Sequence, residues 1–148
     1  MAENEIKVRR LQFGDEEAIL EIDYRIVGPD RAPTWHQQVR RYLDRYYPPV
    51  SHVAISGEQI VGFILGDVRG WEYGLPSAAW IDIMGVDPNY QHRGVGRMLV
   101  EAFMEQCKQQ GIDEVHAFMR EGDDMVSGFF GSLGFGKGPL MHLVRKVD

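Results

Sequence analysis

The first third of the chain changes from the periodicity of a strand to that of a helix. Residues 6–11 form a short apolar run that predicts an opening strand. Gly14 and Asp15 then introduce a helix that extends to about residue 26, whose apolar positions step by three and four: Ala18, Ile19, Ile22 and Ile26. A second helix is predicted over residues 34–46, and Pro48-Pro49 ends it. The chain is therefore expected to begin with one strand and two helices.

The middle of the chain has the pattern of a hairpin followed by a further strand. His52–Ser56 and residues 59–68 are separated by the turn residues Gly57 and Glu58. The second of these strands is apolar on both faces, which is typical of a strand inside a covered sheet. A third strand is predicted at Ala78–Val86, and Asp87-Pro88-Asn89 supplies turn chemistry after it.

The most regular helical pattern covers residues 95–110. Its apolar stripe faces the predicted core and consists of Val95, Met98, Leu99, Ala102, Phe103 and Cys107. A strand at 114–120, a helix at 123–133 and a last strand at 141–147 follow. This order predicts a single α/β domain over residues 1–148, with a mixed sheet and helices on both of its faces.

Composition and charge limit the classes of protein to which this chain can belong. Apolar residues make up 44% of the chain and charged residues 26%, which is ordinary for a soluble globular domain, and we expect a cytoplasmic location. No apolar run is long enough to span a bilayer, so no membrane partner is expected. The single cysteine excludes an internal disulfide framework and a Cys-based zinc cluster, and no metal is expected. A net charge of −6 argues against nucleic acid and weakly favours a cationic partner.

The strongest local signal is a glycine-spaced loop between a strand and a helix, residues 91–97. The backbone N–H groups and the positive dipole end of a helix N-terminus bind phosphate. Gly94 and Gly96 let an anion approach the backbone, and Arg93 and Arg97 add cationic donors. A tight turn with no ligand is the alternative for the two glycines alone. Two other types of phosphate-binding loop do not fit this sequence. A dinucleotide-binding fingerprint needs a third glycine where Leu99 stands. The G-x-x-x-x-G-K match over residues 131–137 is not followed by the Ser or Thr of a P-loop.

Two motifs resemble the GCN5-related N-acetyltransferase (GNAT) family. Gln91-His92-Arg93-Gly94-Val95-Gly96 resembles the family's Q/R-x-x-G-x-G/A motif, and residues 129–135, FFGSLGF, resemble its F-Y-x-x-L-G-F motif. The resemblance implies a mixed, mostly antiparallel sheet of six to seven strands that splay apart at the coenzyme site. It also implies acetyl-CoA as the acetyl donor.

Carried over from the family, the residues expected to contact the coenzyme fall in three places. The end of the third predicted strand supplies backbone groups of Met84, Gly85 and Val86, one of which would act as an oxyanion donor. The loop supplies Gln91, His92, Arg93, Gly94, Val95, Gly96 and Arg97. The last helix supplies Asp123 and Phe130. Phe130 departs from the family pattern, because many relatives have a tyrosine there that is often proposed to protonate the leaving thiolate. Asp123 stands where many relatives have Asn, and its alternative role is that of a helix N-cap.

Two residues are candidates for the base that takes a proton from an amine. Asp82 lies in an otherwise apolar strand and is expected to share a face with Trp80 and Met84. His116 lies on the neighbouring strand and has a suitable ordinary pKa. For both, a purely structural role is the alternative: an ion pair for Asp82 and a hydrogen bond within the fold for His116. Cys107 is expected to lie in the core, which disfavours a covalent acetyl-cysteine route.

The resulting prediction is an N-acetyltransferase that acts on an amine by direct attack within a ternary complex. The acceptor is a small amine, a lysine side chain or a protein N-terminus, and Trp71 and Tyr73 are expected on the acceptor side. The alternatives are a non-catalytic acyl-CoA-binding module and, less favoured, a domain that binds another phosphorylated ligand. A homodimer is compatible with the sequence but is not indicated by any motif.

Overall fold

A computed structural model describes residues 5–29, 35–44, 49–70 and 74–148 of the chain. The first half contains β1 (Ile6–Arg10), α1 (Glu16–Val27), α2 (Trp35–Asp44), β2 (His52–Ser56) and β3 (Gln59–Arg69). The second half contains β4 (Ala78–Val86), a 3₁₀ turn (Pro88–Tyr90), α3 (Val95–Gln109), β5 (Val115–Ala117) and α4 (Asp124–Ser132). The boundaries predicted from the sequence for β2, β4 and α3 agree with these to within one residue.

The strands form one sheet in the order β1-β2-β3-β4-β5. The first four strands are antiparallel to their neighbours, and β5 is parallel to β4. The β4–β5 pairing is short, since it joins only residues 79–81 of β4 to β5. Residues 82–86 of β4 therefore continue past the end of β5, and a gap opens between the two strands at this point.

A β-bulge lies at the same position in β4. Leu65 of β3 pairs with Ile83, but the next β3 residue, Gly66, pairs with Ile81, so Asp82 is the extra residue. An extra residue breaks the alternation of side chains along a strand. Met84 consequently packs in the core cluster on the α3 side of the sheet, whereas Asp82 contacts α2 on the other side. The expectation that Asp82 and Met84 share a face is wrong for this reason.

Two apolar clusters cover the two faces of the sheet. On one face α3 packs its apolar stripe against the strands, and the cluster includes Ile64, Ile81, Leu99, Phe103 and Cys107. On the other face α1 and α2 pack against β3 and β2, with Ile19, Ile22, Val39, Phe63 and Leu65. The prediction of a mixed sheet with helices on both faces is confirmed. The burial of Cys107 in the core is confirmed as well.

The strand count differs from the prediction. The described part of the chain has five strands rather than six to seven. The strand expected at 114–120 is limited to Val115–Ala117, and residues 141–147 form no strand. A strand needs a hydrogen-bonded neighbour, and within the described residues β5 has one only on its β4 side.

Candidate active site

The turn after β4 is held by the carboxylate of Asp87, which is almost fully buried. One oxygen accepts a hydrogen bond from the backbone N–H of Asn89 at 2.9 Å, and the other accepts one from Arg25 of α1 at 2.5 Å. Gln91 closes the turn from the other side, because its side-chain amide donates to the carbonyl oxygen of Val86 at 3.2 Å. The end of β4 and the start of the loop are thus fixed relative to each other and to α1.

The loop itself is exposed and turns through two left-handed residues. His92 has φ 64° and Gly94, the N-cap position of α3, has φ 79°. Such a sequence of conformations directs successive backbone N–H groups toward one side, which makes a concave anion site. Among the described residues no side chain caps α3, and its first N–H groups have no acceptor within the helix. This backbone fits a diphosphate.

Gly96, in the first turn of α3, lies against α4. A Cβ at this position would approach the ring of Phe129 at 3.3 Å. The two arginines flank the loop: the Arg93 guanidinium lies 5.2 Å from the centre of the Tyr90 ring, and Arg97 is paired with Glu101 at 2.9 Å on the exposed side of the helix. The structure therefore brings Gln91, His92, Arg93, Gly94, Val95, Gly96 and Arg97 together around one exposed helix N-terminus.

Backbone groups of β4 point into the gap beyond β5. The N–H of Asp87 bonds to Val61 of β3, and since main-chain groups alternate along a strand, those of Met84 and Val86 point toward the gap. By the same alternation the main chain of Gly85 points toward β3. Gly85 has a packing role instead, because a Cβ there would meet Ile26 and Phe63 at 3.0 Å.

Asp82 is bound by two side chains from other elements. Tyr42 of α2 donates its hydroxyl to Asp82 Oδ2 at 3.1 Å, and Arg69 at the end of β3 contacts both carboxylate oxygens at 2.9 and 2.8 Å. Arg69 also donates to Asp67 at 2.9 Å. The ion pair that was the structural alternative for Asp82 is thus present. A carboxylate has about four acceptor positions, so these three contacts leave room for one more donor.

Burial raises the pKa of Asp82 above its ordinary value. Attraction by Arg69 and the hydrogen bond from Tyr42 act in the opposite direction, and repulsion by Asp67 adds to the increase. Burial also raises the pKa of Tyr42, with Asp82 adding to it, so the phenol remains a proton donor to the carboxylate at neutral pH. The Asp82 side chain is 20% exposed and can be reached from solvent.

His116 lies on the same face of the sheet. Its ring stacks on Trp80 with the centroids 4.6 Å apart, and Nε2 is 3.1 Å from Glu114. The guanidinium of Arg69, which binds Asp82, lies 5.5 Å from the centre of the Trp80 ring, so Trp80 and Arg69 link His116 to Asp82 through a series of contacts. The structure therefore places the two candidate bases in one cluster of side chains. His116 is hydrogen-bonded to Glu114, as the structural alternative for this histidine predicts.

The two α4 residues have structural partners. Asp123 accepts a hydrogen bond from the N–H of Val126 at 3.1 Å and is the N-cap of α4. The Phe130 ring packs edge-on against Phe129 and Phe135, at centroid distances of 5.2 and 5.1 Å. Coenzyme contacts by Asp123 and Phe130 therefore remain predictions.

Sequence reasoning missed Arg69 and Asp67, and it did not connect Tyr42 with Asp82. The spacing of Asp67 and Arg69, two apart on one strand, is a signal that both lie on one face. No local pattern pairs either residue with Asp82, which is more than ten positions away. Trp71 and Tyr73, expected on the acceptor side, lie outside the described residues.

Among residues 5–29, 35–44, 49–70 and 74–148, no helix has the length and apolar character required to cross a bilayer. The same residues contain no group of three or more His, Cys, Asp or Glu side chains placed to hold a metal ion.

Solved structures with the same fold include several aminoglycoside acetyltransferases. Aminoglycoside N-acetyltransferase AAC(6')-Iy in complex with CoA has a TM-score of 0.81 at 16% identity, and the match covers 99% of this chain and 97% of that one. The 6'-N-acetyltransferase AAC(6')-Ih from Acinetobacter baumannii has a TM-score of 0.78 at 15% identity, with 97% and 100% covered. An aminoglycoside acetyltransferase from an uncultured soil metagenomic sample has a TM-score of 0.76 at 21% identity, with 97% of both chains covered.

No curated protein sequence matches the chain significantly. The profile of the acetyltransferase (GNAT) family, in contrast, matches residues 17–135, which is most of the 148-residue chain. That span includes the exposed loop, the gap beside β4 and the Asp82 cluster. The chain therefore belongs to the GNAT family and is an acetyl-CoA-dependent N-acetyltransferase.

Proposed function

We propose that this chain acetylates a primary amine of a small polycationic acceptor, by direct attack of the amine within a ternary complex. The observation on which this proposal rests is the environment of Asp82. Asp82 is a partly buried carboxylate of raised pKa, located at the bulge where β4 loses its β5 partner. The gap beyond that point adjoins the exposed N-terminus of α3, so a donor and an acceptor can meet there.

The proposed donor site combines the loop and the open edge of β4. Backbone N–H groups at residues 94–97 and the cations Arg93 and Arg97 hold the diphosphate of acetyl-CoA. Acetyl-CoA supplies the acetyl group as a thioester. The main-chain groups of Met84 and Val86 line the path from the loop to Asp82, and an N–H among them stabilises negative charge on the acetyl oxygen during the attack.

Asp82 removes a proton from the acceptor. A free alkyl amine has a pKa near ~10.4 and is charged at neutral pH, so it must lose a proton before its nitrogen can attack. Asp82 accepts this proton directly or through one water, on the acceptor position that Tyr42 and Arg69 leave open. Arg69 and Tyr42 are positioning residues, because they fix the orientation of the carboxylate.

No acid from α4 is required for the leaving group. Phe130 has no proton to donate and is packed against Phe129 and Phe135. A thiol has a pKa near ~8.5, so the thiolate is a tolerable leaving group at neutral pH.

A small polycationic acceptor is supported by charge and by the related structures. Asp67, Asp82 and Glu114 lie around Arg69 and His116 on the acceptor side, and the whole chain carries a net charge of −6. Several proteins with this fold are aminoglycoside acetyltransferases, whose acceptors carry several amines. We therefore favour a small polyamine or an amino sugar over a peptide.

Release of CoA, measured with a thiol reagent, tests the proposal. Aminoglycosides and linear polyamines should support turnover, and lysine-containing peptides or free peptide N-termini should support less. A preference for peptides would refute the acceptor class. No amine-dependent release with any acceptor would instead favour a non-catalytic acyl-CoA-binding role.

The Asp82→Asn substitution tests the base. We expect it to lower kcat about 10²-fold or more, which is the usual contribution of a general base, and to leave the KM for acetyl-CoA unchanged. Glu58→Gln, in the exposed β2–β3 turn, is the matched control and should behave as wild type. Unchanged turnover by Asp82→Asn at neutral pH would remove Asp82 as base without affecting the rest of the proposal.

A further inference from the structure

The last turn of α1 contacts the end of β4 at two positions. Arg25 donates a hydrogen bond to the Asp87 carboxylate at 2.5 Å, and Ile26 lies where a Cβ on Gly85 would meet it at 3.0 Å. Gly85 and Asp87 are two positions apart, so they present the same face of the chain to α1. Val86, between them, is one of the residues whose main chain points toward the gap. α1 therefore supports one face of the end of β4, while the proposed coenzyme path follows its edge.

The Arg25–Asp87 ion pair joins residues that are 62 positions apart in the chain. The Asp87 side chain is 1% exposed and that of Arg25 is 39% exposed. Removal of one partner from a pair with a buried member leaves a buried charge without compensation, unlike the loss of a fully exposed pair. Glu21, one turn earlier in α1, accepts a hydrogen bond from the second terminal nitrogen of Arg25 at 2.5 Å. The arginine is thus held by its own helix in position to reach the turn after β4.

The Asp87 carboxylate also sets the geometry of the turn that leads into the loop. Its other oxygen accepts a hydrogen bond from the N–H of Asn89 at 2.9 Å, and the Asp87 carbonyl oxygen accepts one from the N–H of Tyr90 at 2.8 Å. The Tyr90 ring in turn contacts the guanidinium of Arg93, inside the loop. A displacement of Asp87 would therefore be transmitted through this short turn to the N–H groups at residues 94–97.

We propose that Arg25 is a positioning residue for the coenzyme. By fixing Asp87 against α1, it sets the direction of the main-chain N–H groups in the 91–97 loop and so determines how tightly they hold the diphosphate of acetyl-CoA. The inference rests on the proposed function, since it assumes that this loop is the diphosphate site. The two terminal nitrogens of Arg25 bind Asp87 and Glu21, so the arginine acts through the turn rather than by contact with the coenzyme.

Asp87→Asn separates the effect of geometry from that of charge. Asparagine can still accept the hydrogen bond from Asn89 and is favoured at turns, so the turn is kept while the ion pair is lost. Removal of a negative charge near a diphosphate would by itself strengthen binding. We nevertheless expect the Kd of acetyl-CoA, measured by titration calorimetry without acceptor, to rise about tenfold, as for the loss of one hydrogen bond to a charged group. kcat at saturating acetyl-CoA should be nearly unchanged, because neither partner contacts the reacting atoms.

Asp15→Asn is the matched control at the other end of α1, roughly 15 Å away along the helix. Asp15 is also buried, and it accepts a hydrogen bond from the main-chain N–H of Gln12 at 2.8 Å. It is also paired with an arginine, Arg9, at 2.8 and 2.9 Å. The same substitution there should lower Tm by a similar amount and leave the Kd of acetyl-CoA unchanged. Equal increases in Kd for the two variants would show that the Arg25–Asp87 pair acts only through the stability of the fold, and would overturn the proposal.

Substitutions of Arg25 complete a double-mutant cycle. Arg25→Gln should raise the Kd about as much as Asp87→Asn, and the double variant should raise it no further, because both changes remove the same pair. The double variant leaves no unpaired buried charge, so it provides the measurement if Arg25→Gln alone folds poorly. Arg25→Lys keeps the cation and should recover part of the affinity. Additive effects in the double variant would contradict a shared role.

Gly94→Asp distinguishes failure of this inference from failure of the donor site. If Gly94→Asp loses acetyl-CoA binding while Asp87→Asn and Arg25→Gln, folded by circular dichroism, bind as wild type does, the loop holds the coenzyme and the role of Arg25 is wrong. If all three variants bind as wild type does, the coenzyme is held elsewhere, and both the donor site and the role of Arg25 are wrong.

Discussion

At the scale of single residues, the site depends on competing influences on one carboxylate. Burial and Asp67 raise the pKa of Asp82, whereas Arg69 and Tyr42 lower it. The net direction is upward, which makes the carboxylate a better proton acceptor than an exposed aspartate, while its two partners hold it in one orientation. As the proposed base, Asp82 would act only when ionised, so its pKa should set the acid limb of the rate profile.

Tyr42→Phe removes one of the interactions that favour the ionised carboxylate. The pKa of Asp82 should therefore rise further, and the acid limb of kcat/KM against pH should move to higher pH. The maximum rate at high pH should be nearly retained, because the phenol does not contact the reacting atoms. A profile identical to that of wild type would indicate that Asp82 does not control the acid limb.

Gly94→Asp places a negative charge and a strained residue at the proposed diphosphate site. At 100 times its Kd, acetyl-CoA should stabilise the wild-type fold by ~2.7 kcal/mol and raise Tm by roughly 5–10 °C. The variant should lose this increase. Gly14→Asp is the matched control, since Gly14 also has positive φ and open space around its Cβ position, and it should retain the full increase. An unaltered increase in Gly94→Asp would place the coenzyme elsewhere.

At the scale of elements, the β4 bulge decides which side chains meet. It directs Asp82 toward α2 and turns Met84 toward α3, and it lies opposite Gly66 of β3. Gly66 permits the close contact between these strands, because a Cβ there would lie 2.1 Å from the carbonyl oxygen of Trp80 and 2.8 Å from the Phe103 ring. The bulge, the glycine and the α3 core therefore depend on one another.

Gly66→Ala should lower the free energy of unfolding by about 1–3 kcal/mol, or more if the backbone cannot shift. Urea denaturation measures the effect. Gly128→Ala is the control: Gly128 lies in the middle of α4 with nothing within 4 Å of its Cβ position, and alanine should stabilise that helix by up to ~1 kcal/mol. Equal stability of Gly66→Ala and wild type would contradict the close contact.

At the scale of the whole molecule, net charge should influence the encounter with the acceptor. A chain of net charge −6 attracts a polycation over a distance that salt shortens. The KM of a polyamine should therefore increase with ionic strength more steeply than the KM of a monoamine, while kcat at saturation should change little. Equal salt dependence for both acceptors would show that long-range charge does not contribute.

Periodicity was sufficient to predict the large elements, and motifs were sufficient to predict the loop at residues 91–97 as the site for the coenzyme. The α3 stripe, the β2–β3 hairpin and the strand–loop–helix unit around Gly94 are local patterns, so their positions follow from residues only a few places apart. The Asp82 cluster was predictable only in part: Asp82 and His116 were identified by residue type and strand, but their partners were not. Tyr42 lies 40 positions from Asp82, and Arg69 lies 13 positions away across a bulge that no local pattern marks.

The sequence by itself determined the family and the order of the elements through α4, and it predicted a phosphate-binding role for the loop, because each of these depends on local spacing and on short motifs. Tertiary structure decided which face Asp82 occupies, what holds it, and where β5 ends. These outcomes depend on strand register and on neighbours that are distant in the chain. It also decided that residues 141–147, which have the pattern of a strand, lie exposed, because a strand forms only where another edge is available to pair with it.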